Sequence, residues 1–356
     1  MYARYQIVGD YGNDFHAGPK AQRDVTAILE GEGFRPFVTL RTKFKGVIGR
    51  FLNRLGWLVK CRWLRSRLPK NVVLFMQYPS EAWSRAPSFR VVTAERKKKK
   101  KLKLIVLVHD LTDFRDGLRR LAQEEHDLMD LADVVILHNE KMVEAVAECG
   151  IPREKLVALE CFDYLSDERQ AQESARQKTG ASPIVNVAGN LNVERSGWLR
   201  DIGSIPGVKW NLFGPYYNPD QLGHGGLTYQ GCLSPEELPC HLSEGCGCVW
   251  YGESATACSG KIVDYLRFIN PHKLSLYLAA GLPVIVWDES AVADFVLRNN
   301  VGLAVHSLVE LPDRIRNLSG DDYSVMARNA CKIGEQILRG EFTRRAVAEA
   351  LRRIGL

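Results

Sequence analysis

At 356 residues the chain is long enough for two domains of about 150 residues each. With 46% hydrophobic and 25% charged residues it has the make-up of a folded globular protein, which excludes wholesale disorder. No apolar run approaches the roughly 18 residues that span a bilayer. The net charge of +6 is mild, so the placement of the basic residues matters more than their number.

The opening MYARYQIVGD reads as a first strand over 5–9 and not as a secretory leader. His16-Ala17-Gly18-Pro19-Lys20 follows, between this strand and the first helix. Gly18 permits a tight turn and Pro19 starts a helix well, so Ala17 and Gly18 can bring backbone close to a ligand. The same residues also suit a plain strand-to-helix loop with Lys20 and Arg23 in solvent. Further strands are expected at 35–40, 72–76, 104–108, 134–137 and 156–159, with helices over 118–131 and 141–149. Residues 166–182 are polar and read as a linker. A second alternating set has strands at 184–187, 209–213, 248–251 and 283–287 and helices at 235–243, 272–280 and 292–298. Short Val- and Ile-rich runs alternating with helices indicate βαβ units and parallel sheets. Two such halves place a cleft where the carboxyl ends of their strands face each other.

Between the second and third strands, 41–70 holds ten Lys or Arg and no Asp or Glu, interleaved with Phe44, Phe51, Trp57 and Trp63. That mixture suits an amphipathic helix on an anionic membrane surface. The run Lys97 to Lys101 adds a second basic block, or is a solvated loop. Basic, aromatic stretches also suit nucleic acid, but no helix-turn-helix, zinc-finger or RNA-binding signature accompanies them, and no nucleic-acid partner is expected. The nine cysteines fit a reduced, cytoplasmic protein. Cys232, Cys240, Cys246, Cys248 and Cys258, with His241, lack paired C-x-x-C spacing, so no zinc site is expected.

The sharpest segment is Asn270-Pro271-His272-Lys273-Leu274-Ser275, which opens a helix leading to the strand PVIVW. A helix start offers unpaired N–H groups and partial positive charge for phosphate, and Lys273 adds a full charge against a departing diphosphate. An ordinary buried helix with a solvated lysine gives the same pattern. Gly189 and Asn190 follow the strand at 184–187, with Arg195 further on. Phe213, Gly214, Pro215 and Tyr216 follow the next strand, where an aromatic ring can stack on uracil. No Asp-x-Asp pair occurs, so no Mg²⁺ or Mn²⁺ is expected to hold the diphosphate. His109 and Asp110 follow the apolar run LIVLV and are the candidates for a general base, ahead of His16. Asp110 as a loop cap and His109 bonded to backbone remain equally open.

HAGPKAQRD (16–24), LVHD (107–110), ADVVILHN (132–139), VAGNL (187–191), the block from 256 through NPHK to 296, and NNVGLAV (299–305) together resemble bacterial β-1,6-galactofuranosyltransferases of O-antigen synthesis. More distantly, the chain is similar to the glucosyltransferases that extend glycans on streptococcal adhesins. The resemblance implies the GT-B fold: an acceptor-side Rossmann-like domain over 1–165, a nucleotide-sugar domain over 166–340, and a closing helix over 341–356 that crosses back. It implies UDP contacts at Ala17, Gly18, a position near Arg195, 213–216 and 270–275, and an inverting displacement of UDP. Leu276 stands where many GT-B enzymes carry a ribose-binding Glu, so ribose must be held otherwise. A lipid-linked or oligosaccharide acceptor fits the same likeness, and the basic stretches suit peripheral attachment to the inner membrane face. A glucosyl or other hexosyl donor, a non-catalytic nucleotide-binding role, and self-association all stay open.

Overall fold

The computed structural model describes residues 2–9, 17–38, 71–80, 87–99, 102–166, 182–222 and 225–356, with 51, 52, 55, 56 and 69 between them. His16 and nearly all of the basic stretch 41–70 and of the expected linker lie outside the described residues. Six strands form a first parallel sheet: β1 (Ala3–Val8), β2 (Arg35–Val38), β3 (Val72–Tyr78), β4 (Leu102–Val108), β5 (Val134–Leu137) and β6 (Leu156–Ala158). Their order is β2-β1-β3-β4-β5-β6. Six more form a second: β7 (Ile184–Ala188), β8 (Lys209–Phe213), β9 (Leu227–Gly231), β10 (Cys246–Val249), β11 (Val284–Trp287) and β12 (Gly302–Val305), in the order β12-β11-β10-β7-β8-β9. Every described pairing is parallel. Such sheets are covered on both faces, which is why β3 (VVLFMQY) is buried at all positions and β4 (LKLIVLV) at all but one.

The described helices of the first half are α1 (Ala17–Gly31), α2 (Pro87–Lys98), α3 (Thr112–Arg115), α4 (Gln123–Leu131) and α5 (Glu140–Glu148). Those of the second half are α6 (Leu238–His241), α7 (Lys261–Leu266), α8 (His272–Ala279), α9 (Ala293–Arg298), α10 (Leu311–Arg316), α11 (Gly320–Leu338) and α12 (Glu341–Arg353). The helix expected from 118 begins at Gln123, because the Glu125 side chain turns back to the N–H groups of Ala122 (3.1 Å) and Thr112 (2.7 Å) and closes the turn there. The strand expected at 248–251 sits two residues earlier. Its ladder with β7 starts at Cys246, and Trp250 and Tyr251 run on past the carboxyl end. β9, β12 and the 19-residue α11 lie where no element was expected.

α12 packs against β5, β6 and α1, so the C-terminal helix returns to the first sheet. Its N-cap is Gly340, which has no side chain to accept from the first-turn N–H groups. Asp163, just beyond β6, supplies the acceptor: its carboxylate takes the N–H of Thr343 at 2.7 Å and of Phe342 at 3.3 Å. At the other end Arg353 donates to the carbonyls of Glu154 (3.0 Å) and Leu156 (2.8 Å).

In each sheet the chain proceeds one way from an inner strand and then resumes on the other side. The reversal falls between β1 and β3 in the first sheet and between β7 and β10 in the second. Ligands in open α/β sheets bind outside the carboxyl ends of the strands at this reversal. In the second sheet those ends are Gly189, after β7, and Tyr251, after β10.

Candidate functional site

Gly189 and Tyr251 do line a cleft of about 290 Å³. Its walls come from the loops after β7 (Gly189, Asn190), β8 (Phe213 to Tyr216) and β10 (Tyr251), from the start of α8 (His272, Lys273) and from Tyr164, Leu233 and Leu238. The loops are held together at backbone level. The N–H of Gly189 donates to Phe213 O at 2.9 Å and that of Leu191 to Pro215 O at 3.0 Å. Gly214 has φ +143°, and a Cβ there would lie 1.8 Å from Gly189 O, so only glycine permits this approach. Tyr216 adopts φ +66° at the cleft and is 64% exposed. A non-glycine residue held there marks a place where the surroundings fix the backbone against its preference.

α8 is pressed onto the sheet by Tyr277. Its ring sits against Gly247, where a Cβ would lie 2.0 Å from the ring, and its hydroxyl accepts from the N–H of Ala188 at 2.7 Å. This seats the helix start beside the end of β7. Pro271 is the N-cap and contributes no side-chain bond; its carbonyl takes the N–H of Leu274 at 2.9 Å, which leaves the N–H groups of His272 and Lys273 to what enters the cleft. The Lys273 side chain lies over Gly189, with Cε 3.2 Å from where a Cβ would stand, and its ammonium is 4.7 Å from the centre of the Tyr251 ring. Burial lowers the Lys273 pKa. No acidic side chain lines the cleft among the described residues, so this cation has no carboxylate to balance it.

His272 points its ring among Tyr164 (centroids 5.1 Å apart) and Phe162 (6.1 Å). Both ring nitrogens are buried without a hydrogen bond, and burial, helped by the Lys20 charge, pushes the imidazole down to about 3. Lys20 itself is not in solvent. It is 2% exposed, pairs with Asp24 at 2.6 Å and reaches the carbonyl of Leu165, which ties α1 to the connection between the sheets. Burial outweighs this pair and lifts Asp24 to about 6.

Asn270 spends its side chain on the first half. Its amide donates to the carbonyls of His138 and Glu160 (3.0 Å to the latter), its Oδ1 accepts from Asn139 at 2.7 Å, and its backbone N–H donates to His138 Nδ1 at 2.9 Å. Asn270 therefore docks the start of α8 onto the ends of β5 and β6. Pro271 is buried beside it, Leu274 and Ser275 are buried, and the Ser275 hydroxyl lies 3.6 Å from Cys161 Sγ. Arg195 is exposed on the turn after β7, outside the cleft lining. Ala17 and Gly18 form the first turn of α1.

At the carboxyl end of β4 the two candidate bases are treated differently. Asp110 accepts from the Tyr265 hydroxyl at 2.6 Å through Oδ1 and pairs with Arg115 at 2.9 Å through Oδ2. The same Tyr265 oxygen accepts from the N–H of Leu111 at 2.8 Å. α7 thus locks onto the first half through Asp110. His109 bonds Gln77 through Nε2 at 2.7 Å and stacks on Phe162 at 5.3 Å. Burial pushes it to about 3.

Tyr251, Tyr164, Tyr265 and Gln77 escaped the sequence reading. An aromatic past a strand end looks like core, and a lone glutamine in an apolar strand carries no motif. Of the basic run, Lys97 pairs with Asp133 at 2.5 Å. Among the described residues the one grouping of three metal-ligand types is the exposed Asp288, Glu289 and His306, outside the cleft lining; the cysteines between 232 and 258 form no such group. No described helix is long and apolar enough to cross a membrane.

Family models described as glucosyltransferase 3-like match the chain in two parts, the N-terminal domain over residues 4–161 and the C-terminal domain over 185–350. Beta-1,6-galactofuranosyltransferase WbbI of Escherichia coli (strain K12) is 30% identical over 256 residues, 70% of this chain and 72% of that protein. Glucosyltransferase 3 of Streptococcus gordonii is 25% identical over 280 residues, 77% and 78% of the two chains. Among solved structures, Anabaena Alr3699/HepE in complex with UDP superposes with a TM-score of 0.59 at 12% identity, covering 98% of this chain and 99% of that one.

Proposed function

The chain belongs to the glucosyltransferase 3-like family of GT-B glycosyltransferases, which take sugar from a UDP-sugar donor, and from that premise we propose the particular reaction: transfer of a galactofuranosyl unit from UDP-galactofuranose to a glycan hydroxyl, with inversion and without a metal. The observation that supports the placement of the donor is Lys273, a half-buried ammonium with no acidic side chain lining its cleft among the described residues, set over the backbone of Gly189 at the sheet reversal. A cation partly withdrawn from water with no carboxylate beside it favours an anion from outside, and a diphosphate supplies it. The N–H groups of His272 and Lys273 at the start of α8 meet the same phosphates, and Lys273 stabilises the negative charge that grows on UDP as the glycosidic bond breaks. With no carboxylate lining the cleft among the described residues, a hard divalent cation lacks the charged oxygens it binds best, which supports metal-free transfer.

Nucleoside contacts fall to Tyr216 and the backbone of 213–215, with Asn190 and His272 beside the ribose. At the carboxyl end of β4, outside the cleft lining, His109 is the better base than Asp110, whose two oxygens are both engaged. An imidazole pushed to about 3 is by itself a weak base. A bound diphosphate brings negative charge nearby and raises it towards the range where it can take the acceptor's proton. Galactofuranose as the sugar is supported by the 30% identity to WbbI, and the acceptor is a saccharide of surface polysaccharide synthesis, membrane-held against the basic stretch 41–70. UDP release from a panel of UDP-sugars, in EDTA and with a galactosyl or glucosyl acceptor, tests the proposal. Release from UDP-galactofuranose alone is the expected result. Release from UDP-glucose alone would move the assignment to the activity named for the streptococcal relatives, and full dependence on added Mn²⁺ would remove the metal-free claim.

A further inference from the structure

Gln77 is the sixth residue of β3, in a strand otherwise made of apolar residues and Tyr78, and it is 3% exposed. A buried primary amide is costly unless its donors and acceptor all find partners. Here they do, and the partners fix which way the amide faces. Gln77 Nε2 lies 3.2 Å from the carbonyl oxygen of Gln22 and 3.0 Å from Thr26 Oγ1, both on α1. The Thr26 hydroxyl already donates to Gln22 O at 2.8 Å, so towards Gln77 it offers a lone pair. Turning the amide over would set Oε1 against a carbonyl oxygen, acceptor against acceptor. The NH₂ group therefore faces α1 and Oε1 faces His109.

The consequence falls on the imidazole 2.7 Å away. Oε1 can only accept, so His109 Nε2 must carry the hydrogen. Burial keeps the ring neutral, and a neutral imidazole with its proton on Nε2 has its lone pair on Nδ1. No described residue hydrogen-bonds Nδ1, and it is not among the buried atoms that lack a partner, so on this half-buried residue it is open to an incoming group at the carboxyl end of β4. The ring plane is held by stacking on Phe162, with an angle of 11° between the two rings.

We propose that Gln77 is a positioning residue of the transfer reaction: anchored by Thr26 and Gln22, it holds His109 in the Nε2–H tautomer and so presents Nδ1, unprotonated, to the incoming acceptor hydroxyl. The use made of that lone pair rests on the reading of His109 as the base; the tautomer itself does not. In the step, the acceptor O–H gives its proton to Nδ1 as its oxygen bonds the anomeric carbon, while the bond from that carbon to UDP breaks and its electron pair leaves on the diphosphate. The imidazolium so formed keeps its Nε2–H on Gln77, whose oxygen stabilises the new positive charge.

The test reads the tautomer directly, by long-range ¹H–¹⁵N correlation of the full chain labelled at histidine, with the His109 signals assigned from a His109→Asn sample. Between pH 6 and 8 the wild-type spectrum should show a protonated Nε2 and a bare Nδ1. In Gln77→Leu the separation between the two ring nitrogens should shrink as the tautomers mix. A wild-type Nδ1–H pattern, or a pattern unchanged in Gln77→Leu, overturns the proposal. Kinetics of the same variant then separate it from the functional reading. A fall in kcat with an unchanged KM for the donor supports both. The expected spectra together with an unchanged kcat would overturn the positioning role and the assignment of His109 as base, while leaving the donor site untouched.

Discussion

Replacing Tyr265 by Phe removes one oxygen that serves two partners in the other half of the molecule. It donates to Asp110 at 2.6 Å and accepts from the N–H of Leu111 at 2.8 Å. Loss of a hydrogen bond to a carboxylate costs about 1.5–3 kcal/mol, and a buried N–H left without an acceptor costs about 1–3 kcal/mol. Leu111 is fully buried, so the second cost stands. The Asp110 side chain is 31% exposed and can recruit water, which reduces the first. The sum is about 3 kcal/mol, or roughly 6 °C in melting temperature at about 2 °C per kcal/mol for a large domain. Asp110→Asn is the partner experiment. The amide oxygen still accepts from Tyr265, and the lost pair with Arg115 is half-exposed and worth at most about 1 kcal/mol. Thermal melts and UDP release measured side by side should show Tyr265→Phe strongly destabilised, and Asp110→Asn melting within about 2 °C of wild type with turnover within about tenfold. If Asp110→Asn melts normally but loses about 10³-fold or more in turnover, Asp110 is the base and the assignment to His109 is wrong. A Tyr265→Phe melt indistinguishable from wild type would remove the anchoring role.

Lys273→Ala should lower turnover by about 10²–10³, since an ammonium about 4 Å from a phosphate is worth at most about 4 kcal/mol at an effective dielectric near 20; a loss under about threefold in a variant that melts normally would contradict the donor assignment. Gly214→Ala must push Gly189 aside, because the new Cβ falls 1.8 Å from its carbonyl oxygen, and UDP titration should show binding lost with about 1–3 kcal/mol of stability; unchanged affinity would show that these two loops do not shape the nucleotide site. Burial raises the Asp163 carboxyl to about 6. A carboxyl whose folded pKa lies above its unfolded value binds protons more tightly when folded, so its contribution is greatest below about 4 and is lost as pH rises through about 6. The melting temperature of wild type minus that of Asp163→Asn should therefore increase as pH falls from 7 to 4, the other titrating groups cancelling in the difference. A difference that is flat or shrinks over that range would show that Asp163 is not so raised.

Much of the architecture was legible because parallel strands buried on both faces write themselves as unbroken apolar runs. Val134 to Leu137, four apolar residues all buried, stand where the pattern puts them. β9 (LTYQG) was not legible: it is an edge strand with three exposed residues, so neither its composition nor any alternation separates it from a loop. The loops of the cleft could be read from Gly189, Gly214 and Lys273, since close backbone approach and a helix start leave marks in sequence. The interlock between the halves could not. Asn270 reads as a helix-start residue next to phosphate, yet its amide is satisfied by His138, Asn139 and Glu160, which lie 110 or more residues away and are brought to it only by the two sheets facing each other. Lys20 shows the same effect, for its partner Asp24 is local but the carbonyl of Leu165 that buries the pair comes from the connection between the halves. Long-range hydrogen bonds have no period and no motif, so a single sequence carries no trace of them.

The central claim is that UDP sits between Gly189 and the start of α8 with its diphosphate on Lys273. A crystal structure of the chain soaked in UDP tests it most directly. A phosphate oxygen is expected within hydrogen-bond distance of Lys273 Nζ, a second on the first-turn N–H groups of α8, and uracil against the loop 213–216. UDP bound elsewhere, or bound in this cleft with its phosphates turned away from Lys273, would contradict it.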